Sequence, residues 1–468
     1  MVFSSLTFLY LFFPLNILFY FMSGSNTYRN VVLLSFSLFF YAWGEPVFVF
    51  VLLLNTVLNY FAAILIDKYK ETNKSKFVLA SIITIDLLLL GFFKYYNFLI
   101  ENINYIFNLN FKLSTVGLPI GISFYTFQII SYVVDVYRQD VAAQKKFYKL
   151  LLYISLYHQL IAGPIVRYVD VQNEIDNRII TISKFSYGID RFILGLLKKV
   201  IIANSAGQTA SLFLDGNLGD LSVLGAWLGI IMYTIQIYFD FSGYSDMAIG
   251  LGRMFGFTYK ENFNYPYIAK NVKDFWRRWH ISLSSFFRDY VYIPIGGNKK
   301  HSIRNLLLVW VLTGFWHGAS WNFIIWGLYY GVFLLIERTI LSKLIEKLPP
   351  FLSHVYLLTV VVVGWVFFYF IDIFKAVEFI GIMFGVGDNP FYDVKFEVEF
   401  LNNVFFLVFA IVASTPVFKF IDEKLNRITD WVSSKIEIAH AVFNSIILIV
   451  STSLLLGQTF NPFLYFRF

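Results

Sequence analysis

The sequence predicts an all-α, polytopic membrane protein, and three observations predict it. First, 58% of the 468 residues are apolar and only 14% are charged, where a soluble domain carries about 25% charged residues. Second, aromatic residues make up 21% of the chain, with 55 Phe, 31 Tyr and 10 Trp. A water-soluble chain of this length could not hide so many, and the mean hydropathy is +0.65. Third, stretches without any Asp, Glu, Lys or Arg recur at 1–28, 46–66, 113–134, 221–239, 305–336, 351–371, 400–418 and 438–466. A spanning helix needs about 20 mostly apolar residues. This composition excludes an ordinary cytosolic enzyme, a disordered chain and a nucleic-acid binder.

Taken in order, the elements begin with residues 1–22, which lack a basic leader and a small-residue cleavage pattern. That segment reads as a retained helix and not a cleaved signal. Shorter or singly charged stretches at 30–44, 77–99, 150–166 and 187–214 add to the uncharged ones. The total expected is 11 to 13 crossings or re-entrant helices. Loop charge sets the orientation. The 67–76 loop carries Lys68, Lys70, Lys74 and Lys76, and the 138–149 loop carries Arg138, Lys145, Lys146 and Lys149. Both are expected in the cytoplasm, with the N-terminus outside. The net charge of +7 then reads as loops facing anionic lipid. No repeat or soluble domain is evident, so residues 1–468 are expected to form one integral membrane domain.

The longest polar stretch, 252–304, mixes Lys260, Lys270, Lys273, Arg277, Arg278, Arg288, Lys299, Lys300 and Arg304 with Trp276, Trp279, Phe286, Phe287, Tyr290 and Tyr292. Two readings fit it. One is an interfacial segment with aromatics at headgroup depth. The other is a cationic cytoplasmic mouth for a phosphorylated donor, with Arg277, Arg278, Trp279, Arg288 and Asp289 as candidate contacts.

Ionisable groups inside apolar segments are costly and mark function. His317 lies within 32 consecutive uncharged residues, 305–336, flanked by Gly314 and Gly318. A neutral imidazole there can take a proton from a hydroxyl; the alternative is a structural histidine bonded across helices. His280, beside Trp279 in the basic stretch, suggests a path from water to a buried site; its alternative is an interfacial histidine. His158 is the best of the other four. Asp240, Ser242, Tyr244 and Asp246 end an apolar helix and read as a polar network, structural or orienting a catalytic histidine. Asp240 and Asp246 are six apart and do not share a helix face well. No metal site is expected. There are no cysteines, so any thioester sulfur belongs to a partner or donor. Dinucleotide, P-loop, serine-hydrolase and zinc-protease signatures are absent.

YFDFSGYSDMAIG (238–250), ENFNYPYIAKNVKDFWRRWHISLSSFFRDYVYIPIGGNKK (261–300) and LTGFWHGASWNFIIWGLYYG (312–331) resemble the core of the membrane-bound O-acyltransferase family. GLPIGISFYTFQ (117–128), QLIAGPIVR (159–167) and the tail NPFLYFRF are also similar. Within the family, YIPIGGN (292–298) resembles the bacterial alginate and peptidoglycan O-acetylases more than the teichoic-acid D-alanylation proteins. The resemblance implies a ring of helices around a thin centre pierced by a tunnel. It implies acetyl transfer from a cytoplasmic thioester such as acetyl-CoA, with no permanently bound cofactor, toward an envelope polysaccharide. It further implies a location in the bacterial inner membrane and an extracytoplasmic SGNH-type acetyltransferase as partner. His317 matches the family's active-site histidine and His280 its second one. Asn322 falls in the third block as a candidate donor contact.

The last helix and aromatic tail, 438–468, follow the same resemblance. Pro462 stops the helix, and Tyr465 places one hydroxyl among Phe side chains. The tail reads either as an interfacial aromatic belt or, since Tyr-bearing tails in this branch imply an acyl acceptor, as one; with the N-terminus outside, an even number of crossings would put it outside the cell. Two other functions stay open on the sequence: D-alanyl transfer from a carrier protein, and transport of a glycolipid.

Overall fold

A computed structural model describes residues 1–425, 430–457 and 463–464. Among these the structure is helical, with no strand. In lipid every backbone N–H and C=O must be satisfied within its own segment, which leaves the helix as the available form for such apolar stretches. Seven helices of the described residues are long and apolar enough to cross a membrane: Phe48–Lys68, Asn73–Phe107, Val223–Met254, Trp321–Leu341, Pro350–Tyr369, Val394–Ala413 and Ile438–Gly457. The protein is a multi-pass membrane protein. The other expected crossings are shorter, broken or, like the helix Asn26–Gly44, less apolar. The 113–134 stretch becomes a helix only from Ile122 to Arg138, and the 150–166 stretch contributes the short helices Phe147–Ser155 and Tyr157–Leu160.

The chain divides into two compact units, Met1–Phe192 with Tyr244–Glu261, and Ile193–Gly243 with Asn262–Phe468. In the first unit, buried Arg178 donates to the Tyr20 hydroxyl at 2.8 Å, to Asn30 Oδ1 at 2.6 Å and to the Ile175 carbonyl at 3.1 Å. Asn30 returns a bond to the Ile175 carbonyl at 2.9 Å, so a single cation ties two N-terminal helices to the Tyr168–Asn177 helix. Asn59 joins Phe48–Lys68 to Asn73–Leu90 by donating to Asp86 at 2.8 Å. The helix Ile122–Arg138 starts at Gly121, whose φ is +80° and whose absent Cβ would stand 2.7 Å from the Leu160 carbonyl oxygen. Only glycine satisfies both conditions.

The second unit packs around aromatic side chains. Trp276, Trp279, Trp326, Tyr330, Trp365 and Phe368 are all buried in one cluster. Edge-to-face contacts dominate, such as Trp276 on Tyr330 at 4.9 Å and Phe323 on Phe368 at 5.2 Å, the arrangement that ring quadrupoles favour. Among the described residues, five short π-helical segments interrupt the α-helices, and four carry charged residues: Gly91–Tyr95 (Lys94), Lys198–Ala203 (Lys198, Lys199), Arg288–Tyr292 (Arg288, Asp289) and Glu337–Leu341 (Glu337, Arg338). Such bulges are frequent at functional sites.

Candidate active site

The uncharged 305–336 stretch is a helical hairpin, Ser302–His317 and Trp321–Ile336, broken at Gly318. The two helices touch through glycines. A Cβ at Gly314 would lie 2.1 Å from the Phe323 carbonyl oxygen, and one at Gly327 would lie 2.2 Å from that of Trp310. Such close backbone approach is what small residues allow between membrane helices. It sets His317 at the end of its helix, where the free carbonyls favour positive charge. The ring meets Trp326 at 5.1 Å and Phe368 at 5.3 Å, both edge-on. Both contacts restrain its rotation.

His317 opens on a small cavity of about 30 Å³ lined also by Ile237, Asp240, Phe241, Trp279, Trp326, Trp365, Phe368 and Leu464. That is room for about two waters. The sequence expectations therefore separate. His317, Trp279 and Asp240 meet at one cavity. Asp240 Oδ1 pairs with Lys199 at 2.6 Å, and its other oxygen accepts the Leu464 N–H at 2.9 Å. Asp246 and Tyr244 belong to the first unit. There Asp246 pairs with Arg191 at 2.7 Å and Tyr244 stacks on Phe3 at 4.5 Å. Ser242 is buried in the second unit, and its hydroxyl has no hydrogen-bond partner among the described residues.

His280 is buried, and its tautomer follows from its neighbours. Asn262 Oδ1 accepts the Ser282 backbone N–H at 3.1 Å and the Ser282 hydroxyl at 2.9 Å. A backbone N–H can only donate, which assigns that amide atom as oxygen. His280 Nδ1, 3.1 Å from the same oxygen, therefore carries the proton. Nε2 is left with its lone pair and has no hydrogen-bond partner among the described residues. Burial first, and then the charge of His317, hold the imidazole well below its ordinary value of 6.5, so it is neutral. Its backbone is left-handed, with φ +44°, a conformation costing a non-glycine residue about 1–3 kcal/mol. Strain of that kind clusters at functional sites.

The basic residues divide as well. Arg278 is engaged internally, with Asp274 at 3.0 Å and the Asn264 carbonyl at 3.3 Å. Arg277 is exposed. Arg288 is exposed and pairs with its neighbour Asp289 at 2.7 Å. Asn322 is buried, and its amide donates to the Phe367 carbonyl at 3.0 Å, tying two helices together. It does not line the His317 cavity. His158 is buried, and its Nδ1 lies 3.3 Å from the Tyr259 hydroxyl. Tyr465 lies outside the described residues. Sequence reasoning missed Asn262, Lys199 and the Trp326–Trp365–Phe368 wall. The Lys198-Lys199 pair in an otherwise apolar stretch was the available signal for one of them. No three His, Cys, Asp or Glu side chains among the described residues are grouped to hold a metal.

Comparison with known proteins places the chain in a family. The chain is 38% identical over its full length to the full length of a probable alginate O-acetylase of Azotobacter vinelandii. It is 34% identical, over 90% of its length and 87% of the relative's, to a peptidoglycan O-acetyltransferase of Helicobacter pylori. It is 33% identical, over 46% of its length and 58% of the relative's, to a teichoic acid D-alanyltransferase of Bacillus subtilis. The model of the membrane-bound O-acyltransferase family matches residues 143–376, which hold both His280 and His317. This cysteine-free, multi-pass chain belongs to the membrane-bound O-acyltransferase family and is an acyltransferase.

Proposed function

We propose that the protein moves an acetyl group from a cytoplasmic thioester, acetyl-CoA, across the bacterial inner membrane toward a hydroxyl of an exported or envelope polysaccharide. One observation carries the reading: a rotationally restrained His317 at a small, aromatic-walled cavity that the C-terminal segment also reaches through Leu464. Full-length similarity to O-acetylases, against partial similarity to a D-alanyltransferase, supports acetyl over D-alanyl. The glycolipid-transporter reading is dropped, since the family transfers acyl groups.

The chemistry asks little. A thioester is already activated. His317 takes the proton of an attacking hydroxyl, the tetrahedral intermediate expels the thiolate, and the same proton passes to that sulfur. The relay has two balanced halves. Tyr465 becomes an acetyl ester as coenzyme A leaves as its thiol; an SGNH-type partner outside then moves the acetyl to the polymer, returning the phenol. His280, with Nδ1–H held by Asn262, offers Nε2 as an acceptor. It orients a donor and does not donate to an oxyanion. Arg277 and the 299–304 basic residues face the donor's phosphates. The deciding experiment is His317→Ala in a strain making the polymer. Loss of polymer acetyl ester, with the protein still inserted and the polymer still exported, is expected. Undiminished acetylation would overturn the reading.

A further inference from the structure

We propose that Lys199 and Asp240 form a buried latch that holds the chain's own C-terminal segment at the His317 cavity, making Asp240 a positioning residue for the transfer. The docking rests on geometry alone; its link to transfer rests on the acetyl-relay reading above. Both charged side chains are 3% exposed, with Nζ and Oδ1 2.6 Å apart. A pair so buried holds only when the remaining lone pairs are also satisfied. Here Asp240 Oδ2 takes the Leu464 backbone N–H at 2.9 Å, a charge-assisted bond. The carboxylate therefore joins three parts of one unit: the π segment Lys198–Ala203, the helix Val223–Met254 and the tail.

A pair serving only to join two helices would have no use for the tail amide. The Leu464 side chain lines the same cavity as His317 and Asp240, and Phe463 and Leu464 are both buried. A bond to a backbone N–H fixes the position of the chain at Leu464 whatever its side chain is. Tyr465 is the next residue, one Cα step of about 3.8 Å along the chain. Register at 464 is what a hydroxyl-bearing neighbour needs to reach a fixed base.

The natural chain has no cysteine, so a single Phe463→Cys reports on the tail in the intact, membrane-embedded protein. Its maleimide labelling is expected to be slow. It should rise at least tenfold when Asp240→Asn weakens the acceptor, and likewise when Leu464→Pro deletes the donor. Leu464→Pro leaves the Lys199–Asp240 pair intact, so global unfolding cannot mimic release; Ala226→Cys, at a fully buried site of the same helix, should stay unreactive in both backgrounds. Both variants should lower kcat for acetyl transfer while leaving the donor KM unchanged. Equally slow Phe463→Cys labelling in both backgrounds would overturn the latch, even with acetylation still dependent on His317. Full activity of His317→Ala would overturn the relay reading and leave the labelling result standing.

Discussion

Gly314→Ala tests whether the hairpin contact positions the base. The added methyl would stand 2.1 Å from the Phe323 carbonyl oxygen, and real Cβ contacts do not fall below 3.0 Å. The deficit is 3.0 − 2.1, or 0.9 Å. The obstacle is backbone, so no side-chain rotation relieves it. The helices must part by about that amount, and His317, three residues on, moves with its helix. Overpacking of this kind costs about 1–3 kcal/mol, and a misplacement of about 1 Å costs about 100-fold in rate. The assay is acetyl ester per unit of exported polymer, normalised to protein in the membrane, with thermal stability of the solubilised protein measured alongside. Gly91→Ala is the control, since nothing lies within 4 Å of its new methyl; it should be neutral or slightly stabilising. Gly314→Ala at normal abundance with more than half the parental activity would refute the argument.

His317→Ala should lower kcat by about 100- to 10,000-fold, the usual worth of a general base, without loss of inserted protein. Lys199→Met strands a buried carboxylate and should cost about 3–5 kcal/mol, seen as a lower Tm; adding Asp240→Leu should recover much of it, and an unchanged Tm in the single variant would count against the pair. Arg277→Glu should raise the donor KM more than it lowers kcat, whereas Arg278→Glu, by breaking the Asp274 bond, should also lower the Tm. Because the folded value of His280 lies below 6.5, its neutral form persists at lower pH than a free imidazole's. Stability from this group is full above 6.5 and is lost as pH falls through the folded value, so a His280-dependent acid-unfolding limb, read as the difference from His280→Gln, that is centred at or above 6.5 would argue against this assignment.

The helical, membrane-embedded class was legible because uncharged runs and aromatic content admit little else. His317 stood out for the same reason, a histidine within 32 uncharged residues, although the sequence alone left a structural histidine bonded across helices open beside a catalytic one. What composition does not encode is which polar groups meet. Asp240 and Asp246 look like one cluster in sequence, yet each has its own cation, Lys199 and Arg191, from distant positions. Asn262 carries no local mark; its importance arises only when residue 280 turns left-handed and brings Nδ1 to its amide oxygen. Asn322, attractive by motif, is occupied by a carbonyl of another helix that no spacing rule foresees, whereas the Asp274 partner of Arg278 stands at the i,i+4 spacing that a helix would have predicted.

Glu337 carries a consequence for which anions the protein can hold. Its carboxylate accepts the first two N–H groups of the Val272–Arg278 helix, Val272 at 2.7 Å and Lys273 at 3.1 Å, and a third bond from the Tyr356 hydroxyl at 3.2 Å. The positive end of that helix is thus already occupied by an internal anion. Any phosphate arriving beside it meets a competitor covalently attached at high effective concentration. A phosphate placed there would instead meet exposed ammonium and guanidinium groups such as Lys273 and Arg277, whose grip weakens with salt, and not rigid backbone dipoles. On the acetyl-CoA reading proposed above, the phosphorylated leaving group would meet only contacts that release it readily.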